Sequence, residues 1–387
     1  MKYVRSSKCH YSKWLTSDKQ SAIKELLEET HRVVSWAIDK HHLSIAHCGM
    51  EKKHLLLAHS LHECESWLTE RAKKNCFAEA FSLVSGTKAS ADELKKEYTK
   101  PTHNPHRIML SSTNATVNLD PRLKGFDVLV ELNCFDSRVR VRQIAIPLKR
   151  NDVFNGWFEK GKLASSVILN DKYIQFSFEV VCEKKQIGTA VGFDPGAKIL
   201  LTSDSGEKYG TDIWRLLEKL KRKKRCSRAW YACREEILEY IDKSCKEIPF
   251  EAIKYLVLED NRKIKNKMKI RRKGKRLSKR NRSVLTGWAI GRIDHRCKLL
   301  SEENGVSFRR VPAWNNSRTC PDCGCCEEAN RVSQEVFVCR KCGHIWHADV
   351  VGATNTLARF ALGPYGAECK PEFMERHSGY YQLRATG

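Results

Sequence analysis

Two Cys-x-x-Cys pairs constrain this chain more than any other feature. Cys320/Cys323 and Cys339/Cys342 lie in SRTCPDCGCCEEANRVSQEVFVCRKCGHIWHADVVGATNTLA, residues 317–358, with fifteen residues between Cys323 and Cys339. Each pair presents two thiolates to one tetrahedral ion, so the spacing predicts a four-cysteine zinc ribbon. Cys325, Cys326, His344 and His347 lie close enough in sequence to substitute as ligands, although the two short turns have the tighter geometry. A structural zinc contributes about 10–16 kcal/mol in small finger peptides, enough to fold a ribbon with almost no core. Seven residues after Cys342 comes Asp349, at the start of a small-residue segment that reads as a helix.

The charge balance says what such a ribbon would serve. Seventy Lys and Arg face 46 Asp and Glu, a net charge of +24. A surplus of that size points to a polyanionic partner, because neutralising phosphates releases counterions. The 41% hydrophobic content belongs to a folded chain, and its length suits roughly two to three domains. There is no N-terminal apolar signal region and no run of eighteen apolar residues, so no membrane partner is expected. Seventeen cysteines then read as four zinc ligands plus free thiols in a reducing compartment. The expected location is cytoplasmic and nucleoid-associated, or nuclear in a eukaryote.

Three textures follow one another. Residues 2–10 suit a short strand, and 17–98 is mostly helical: apolar positions recur at helical spacing from Ser17 to Cys48 and again from His54 to Leu83. The histidines of this stretch lack metal-ligand spacing and read as a solvated face. After Pro101, runs such as Val128–Leu132, Val139–Ile146, Ala164–Leu169 and Tyr173–Val181 predict an antiparallel barrel or curled sheet over 106–185. The third texture predicts strands at Thr189–Phe193, Ile199–Ser203 and Lys208–Gly210, and a long helix over 212–246. A strand at Ile253–Leu258, a helix at Val284–Asn304 and a strand at Val306–Val311 then lead into the ribbon.

Three acids fall at comparable places in that third part. Asp194 ends one strand, Glu259 ends another, and Asp349 opens a helix. Taken singly, each also reads as a turn or strand-end charge. Together they form an oxygen-rich site suited to Mg²⁺, and two such ions can activate water and stabilise the leaving oxygen of a phosphodiester. Strand–strand–strand–helix–strand–helix with Asp, Glu and Asp in that order is the RNase H-like pattern.

VGFDPGAKILLTSDSG, YLVLEDN, SRTCPDCG, FVCRKCG and HADVVGATNTLA resemble the RuvC and zinc-finger motifs of the TnpB family of transposon-encoded RNA-guided nucleases, to which compact type V CRISPR effectors are related. The resemblance covers residues 189–360 by motif and the rest only by order of textures. It implies a multidomain α+β protein. A β-barrel-like wedge domain (1–16 and 101–185) would carry a helical recognition insertion (17–100). A RuvC-like α/β domain (186–316 and 347–362) would follow, with a zinc ribbon inserted at 317–346 and a tail at 363–387. It further implies that Asp194, Glu259 and Asp349 hold catalytic Mg²⁺ and that Cys320, Cys323, Cys339 and Cys342 hold structural Zn²⁺. Arg331 would stand near the scissile phosphate, unless it is an ordinary surface arginine, and Asn355 would play a supporting part.

Two basic runs fit the same expectation. KLKRKKR at 219–225 includes Lys221, Arg222, Lys223, Lys224 and Arg225; residues 262–282 carry thirteen Lys and Arg without an acid, among them Arg271, Arg272, Lys273, Lys275 and Arg276. Such runs also occur as solvated tails, but their internal position favours phosphate contact. The sequence thus leads to an RNA-guided DNA endonuclease, a monomer or dimer on one guide RNA. It would read a short motif beside double-stranded target DNA and leave 5′-phosphates. A guide-directed DNA-binding protein or repressor without cleavage is the alternative, and a transposase ranks third.

Overall fold

The computed structural model describes residues 1–11, 15–47, 60–93, 96–120, 122, 124–135, 144–261, 289–313 and 315–361. Arg271, Arg272, Lys273, Lys275, Arg276 and the tail from 363 lie outside them. The chain forms two compact units, Lys2–Val181 and, with Met1, the residues from Cys182 onward.

In the first unit, β1 (Lys2–His10) is followed by two helices, α1 (Ser17–His47) and α2 (Glu70–Glu93), which pack on each other. Of the helix expected over His54–Leu83, residues 54–59 lie outside the described residues, and from Leu61 to Thr69 the chain is turn and loop. Thr69 accepts a bond from Ala72 N at 3.2 Å through its hydroxyl, which makes it the cap and sets the start at Glu70. Strands β2 (Arg107–Leu110), β3 (Ala115–Asn118), β4 (Val128–Leu132) and β5 (Ile144–Leu148) come next. Helix α3 (Asp152–Lys160) and strands β6 (Gly161–Asn170) and β7 (Tyr173–Val181) complete the unit.

Where an antiparallel barrel or curled sheet is expected, the described residues form two antiparallel sheets, ordered β1-β7-β6-β2 and β3-β4-β5. Lys2–His10 belongs to the first, pairing residue for residue with β7 from Lys2↔Val181 to His10↔Tyr173. Helix α3 was not foreseen. Asn151 caps it by accepting from Phe154 N at 2.8 Å, and Phe154 drops edge-on against Phe176 and Phe178, with centroids 5.2 and 5.1 Å away.

The second unit starts with β8 (Thr189–Asp194), β9 (Leu201–Ser203) and β10 (Lys208–Tyr209). The long helix expected over 212–246 is broken into α4 (Ile213–Lys221) and α5 (Arg228–Lys246). Cys226 turns left-handed there, with φ 63°, and Ser227 caps the new helix by accepting from Trp230 N. Strand β11 (Ile253–Glu259), helix α6 (Ile290–Glu303), strand β12 (Ser307–Val311), a ribbon hairpin of β13 (Val336–Val338) and β14 (Ile345–His347), and α7 (Ala348–Ala361) follow.

The main sheet runs β10-β9-β8-β11-β12. Strands β8, β11 and β12 are parallel, whereas β9 is antiparallel to both its neighbours. Parallel central strands covered by helices read as near-continuous apolar runs, as Leu256, Val257 and Leu258 do, all buried. A core of Phe193, Leu200, Leu217, Ile237, Ile241 and Ile293, among others, lies under α4, α5 and α6. Val257, Val311 and Leu357 form a separate cluster toward α7.

Helix α7 meets β8 backbone to backbone. A Cβ on Gly192 would stand 2.5 Å from Ala353 O and 2.7 Å from Leu357 Cβ, so only glycine permits this spacing. Gly192→Ala is expected to cost about 1–3 kcal/mol through overpacking, read as a lower midpoint in denaturant unfolding. An unchanged midpoint would show that the helix can ride up at no cost.

Candidate functional site

The ribbon is built from two matching turns. Cys320 N donates to Cys325 O at 2.9 Å and Gly324 N to Cys320 O at 3.0 Å; Cys339 N donates to His344 O and Gly343 N to Cys339 O, both at 2.9 Å. Gly324 and Gly343 take φ of 73° and 75°, a left-handed step that a glycine after each second cysteine makes without strain. The four sulfurs of Cys320, Cys323, Cys339 and Cys342 all lie within 4.8 Å of one another, the one such ligand cluster among the described residues. Two of the separations are 3.7 and 3.4 Å. Tetrahedral Zn–S bonds of about 2.3 Å put sulfurs about 3.8 Å apart, so the donor set fits zinc.

The sulfurs also feel one another. Burial raises the Cys323 thiol to about 11 and pushes Cys320 up. At Cys339 burial acts in the same direction, but backbone N–H groups of Cys342 and Lys341 and the Cys323 and Cys342 thiols outweigh it and bring the group to about 7. Three of the other four candidate ligands are engaged elsewhere. Cys325 Sγ faces Glu327, His344 Nδ1 pairs with Asp322 at 2.7 Å, and His347 Nδ1 accepts from Asp349 N at 3.3 Å. Phe337, Ala348 and Val351 pack with Cys320 and Cys339, which seats the ribbon on α7.

Asp194 and Glu259 stand at the C-terminal ends of neighbouring parallel strands. Val257 pairs with Gly192 and Leu258 with Phe193, so the two acids are the next rung, and strands in a sheet are about 4.8 Å apart. Asp349 is in the first turn of α7, the helix that packs on β8. Gly352, one turn further on, is where the Asp194 carboxylate lies against that helix: a Cβ there would sit 2.6 Å from Asp194 Oδ2. The consequence is electrostatic. Desolvation, then repulsion from Glu259 and Asp349, hold Asp194 well above the usual carboxylate range, while the Arg331 guanidinium pulls the other way. A divalent cation would relieve that repulsion, so the carboxylate set suits Mg²⁺ or a similar hard ion.

Arg331 follows the short 3-10 turn Glu328–Asn330, pairs as a bridge with Phe337, and donates to Gln334 O at 3.0 Å. Lys221, Arg222, Lys223, Lys224 and Arg225 lie at the end of α4 and in the turn after it; Lys221 is bonded to Glu218 at 2.9 Å, and the other four are exposed. They are on a different element from the acids.

Two residues at the site escaped sequence reasoning. Asn316 Nδ2 donates to Glu259 Oε1 at 2.6 Å and to Thr356 Oγ1 at 3.0 Å, while Asn355 Nδ2 donates to Asn316 O and Thr319 O at 2.7 and 2.8 Å. Asn316 thus ties the strand end, the ribbon's base and α7 together, and Asn355 holds the backbone on either side of the ribbon's entry. Asp204 exchanges bonds with Gly192, accepting from Gly192 N at 2.9 Å and donating its own N–H to Gly192 O at 3.0 Å. The signal for it was present, since Asp-Ser-Gly marks the turn from which its side chain reaches back.

Comparisons place this geometry among known proteins. Residues 291–356 match the family model described as "Cas12f1-like, TNB domain". A CRISPR-associated endodeoxyribonuclease Cas12f1 from Sulfoacidibacillus thermotolerans is 30% identical over 71 residues, 18% of this chain and 17% of that protein. A CRISPR-associated DNA-binding protein Cas12m from Thermanaerosceptrum fracticalcis is 34% identical over 79 residues, 20% of this chain and 13% of that one. The chain therefore spans less than a fifth of the length of these curated relatives in the matched region. By fold, it is similar to a Cas12f1 solved as an sgRNA–target DNA complex, with TM-score 0.54, 12% identity, and 92% and 98% of the two chains covered. It is also similar to the mini-RNA-guided endonuclease CRISPR-Cas_phi3, with TM-score 0.55, 11% identity, and 95% and 93% covered. The likeness at these identities is one of fold. None of the helices among the described residues is long and apolar enough to cross a membrane.

Two outcomes are expected. Because Asp194 titrates above its unfolded value, the folded state holds a proton that the unfolded chain has released, and stability falls as pH rises through that window. Asp194→Asn should therefore raise the Tm of the metal-free protein at neutral pH, and the difference should vanish below the unfolded carboxylate range. Equal Tm values at neutral pH would contradict the repulsion. Cys339→Ser should lower bound zinc from about one to near zero per chain by elemental analysis; retained zinc would remove Cys339 from the ligand set.

Proposed function

We propose that this protein is an RNA-guided DNA endonuclease, with Asp194, Glu259 and Asp349 as its Mg²⁺ ligands and a structural zinc in the ribbon. The observation that carries the reading is the placement of three carboxylates, two at the ends of adjacent parallel strands and one in the first turn of the helix across them, with Asp194 raised by desolvation and then by its two acidic neighbours. The strand order β10-β9-β8-β11-β12, with its second strand antiparallel, supports an RNase H-like (RuvC) unit. The fold likeness to Cas12f1 and to CRISPR-Cas_phi3, and the ribbon segment's match to a Cas12f1-like domain, support a guide RNA and a DNA target. The quoted motifs equally suit the transposon-encoded relatives of those effectors.

Held by Asp194, Glu259 and Asp349, Mg²⁺ would supply activation of water and charge stabilisation at the leaving oxygen. The protein's own residues do the rest. Asp194 and Asp349 present carboxylate oxygens from either side of the β8–α7 contact. Glu259 is oriented by Asn316 Nδ2 at 2.6 Å. Arg331 stands within the field of Asp194, where its guanidinium would meet charge developing on non-bridging oxygens. The ribbon carries Arg331 and precedes Asp349 directly, so a zinc-held ribbon positions both. Guide–target pairing chooses the sequence, and the protein reads a short adjacent motif. Lys221, Arg222, Lys223, Lys224 and Arg225 would contact phosphates without specifying bases.

A second reading, guide-directed binding without cleavage, draws support from the Cas12m relative, whose name is that of a DNA-binding protein. One experiment separates the two. With copurified RNA as guide, a matched linear duplex and Mg²⁺, the wild type is expected to cut. Asp194→Ala should reduce cleavage at least about 10³-fold, as loss of a metal-held transition-state interaction does, while RNA binding stays unchanged. Cutting by Asp194→Ala at the wild-type rate would remove the acid cluster from catalysis, and intact duplex with the wild type would favour the binding protein.

A further inference from the structure

The hairpin of α4 and α5 carries a surface that the carboxylate site does not use. From Arg215 through Arg234 the sequence has nine Lys and Arg, both ends included, and a single acid, Glu218. Arg222, Lys223, Lys224 and Arg225 are exposed on the connecting turn. Leu216, Leu217 and Leu220 of α4 pack inward with Cys233, Ile237 and Ile241 of α5, which leaves the opposite helix faces to solvent. On that outer side Tyr231 is 53% exposed. Its ring stands 5.1 Å from Trp230 at 84°, and the Arg234 guanidinium lies 5.5 Å over the Trp230 ring. Ser227 accepts from Trp230 N at 3.2 Å, which fixes both rings directly behind the basic turn. Glu218 is paired with Lys221 and Glu236 with Lys219, while Glu235 is exposed one turn beyond Tyr231.

A basic turn alone is usually solvated, and a single exposed aromatic is ordinary. Their combination is what an unpaired nucleic-acid strand needs: cations that follow the phosphates and a ring on which a base can stack. In a duplex the base faces are covered by their neighbours, so a duplex would gain from the cations but nothing from Tyr231. We propose that the α4–α5 hairpin binds single-stranded nucleic acid, with a base stacked on Tyr231 and phosphates held by Arg222, Lys223, Lys224 and Arg225. This rests on the nucleic-acid part of the reading above and is independent of cleavage.

The test uses the full chain with zinc, without guide or Mg²⁺, and a 5-iodouracil-substituted DNA oligonucleotide of about 16 nucleotides, the upper range of common single-strand sites. Irradiation of the single strand should crosslink a peptide containing Tyr231, and the same oligonucleotide in a duplex should not. Tyr231→Ala should weaken single-strand binding about tenfold or more, leave duplex binding within about twofold, and leave the salt slope unchanged, because no phosphate contact is lost. Tyr231→Phe should bind like the wild type. Crosslinks confined to other peptides, or single-strand binding by Tyr231→Ala within about twofold of wild type, would overturn the proposal, as would an equal loss for duplex and single strand. A chain that cuts no DNA could still give the expected result, so the two readings fail separately.

Discussion

The site depends on a close backbone contact between one strand and one helix. Gly192 brings β8 to within van der Waals distance of Ala353 O and Leu357, and Gly352 leaves room for the Asp194 carboxylate against the helix. Interiors are close-packed and transmit strain, so a methyl group at either position would move α7, and Asp349 with it. Asp204 reinforces the strand side by bonding Gly192 in both directions. Val257, Val311 and Leu357 pack beside the contact and keep it dry.

What this contact brings together is unfavourable in itself. Desolvation disfavours the charged form of Asp194, and repulsion from Glu259 and Asp349 adds to that cost. The fold offsets that through polar partners and not through apolar packing. Asn316 holds Glu259 and Thr356, Asn355 holds the backbone of Asn316 and Thr319, and Arg331 lends positive field. Strain of this kind persists where surrounding structure over-determines it, and it concentrates at sites that bind or react. The zinc turns repeat the pattern on a smaller scale, since burial raises Cys320 and Cys323, and buried thiols become a ligand set once a cation is among them.

Much of this was legible because it was local. The cysteine spacing and the strand-end positions of Asp194 and Glu259 depend on neighbours within a few residues, as does the helix start at Asp349. The structure finds strands, a helix and knuckle turns at those places. What stayed hidden depends on distant partners. Lys2–His10 buries Tyr3, Arg5, Ser7 and Cys9 on its inner face, a set with no hydrophobic alternation to read, and its partner strand begins at Tyr173. The two sheets of the first unit could not be told from one by period alone, because both alternate with a period of two. The helix expected over 212–246 carried through the basic stretch from Lys221 to Arg228, and it is the left-handed Cys226 and the capping Ser227 that break it. Asn316 looked like any loop asparagine until Glu259 and Thr356 arrived on either side.

The ribbon begins and ends on the same support. Asn316 is bound to α7 through Thr356 and Asn355, and Ala348 opens that helix. What lies between is a loop whose two ends are already clamped. Lengthening a clamped loop is cheap, about 0.6 kcal/mol for each doubling, and the acids at the strand ends would not register the change. The segment from Thr319 to His347 is thus a closed lobe, and a change of length in it away from the cysteine turns and Arg331 would be absorbed without moving its two ends.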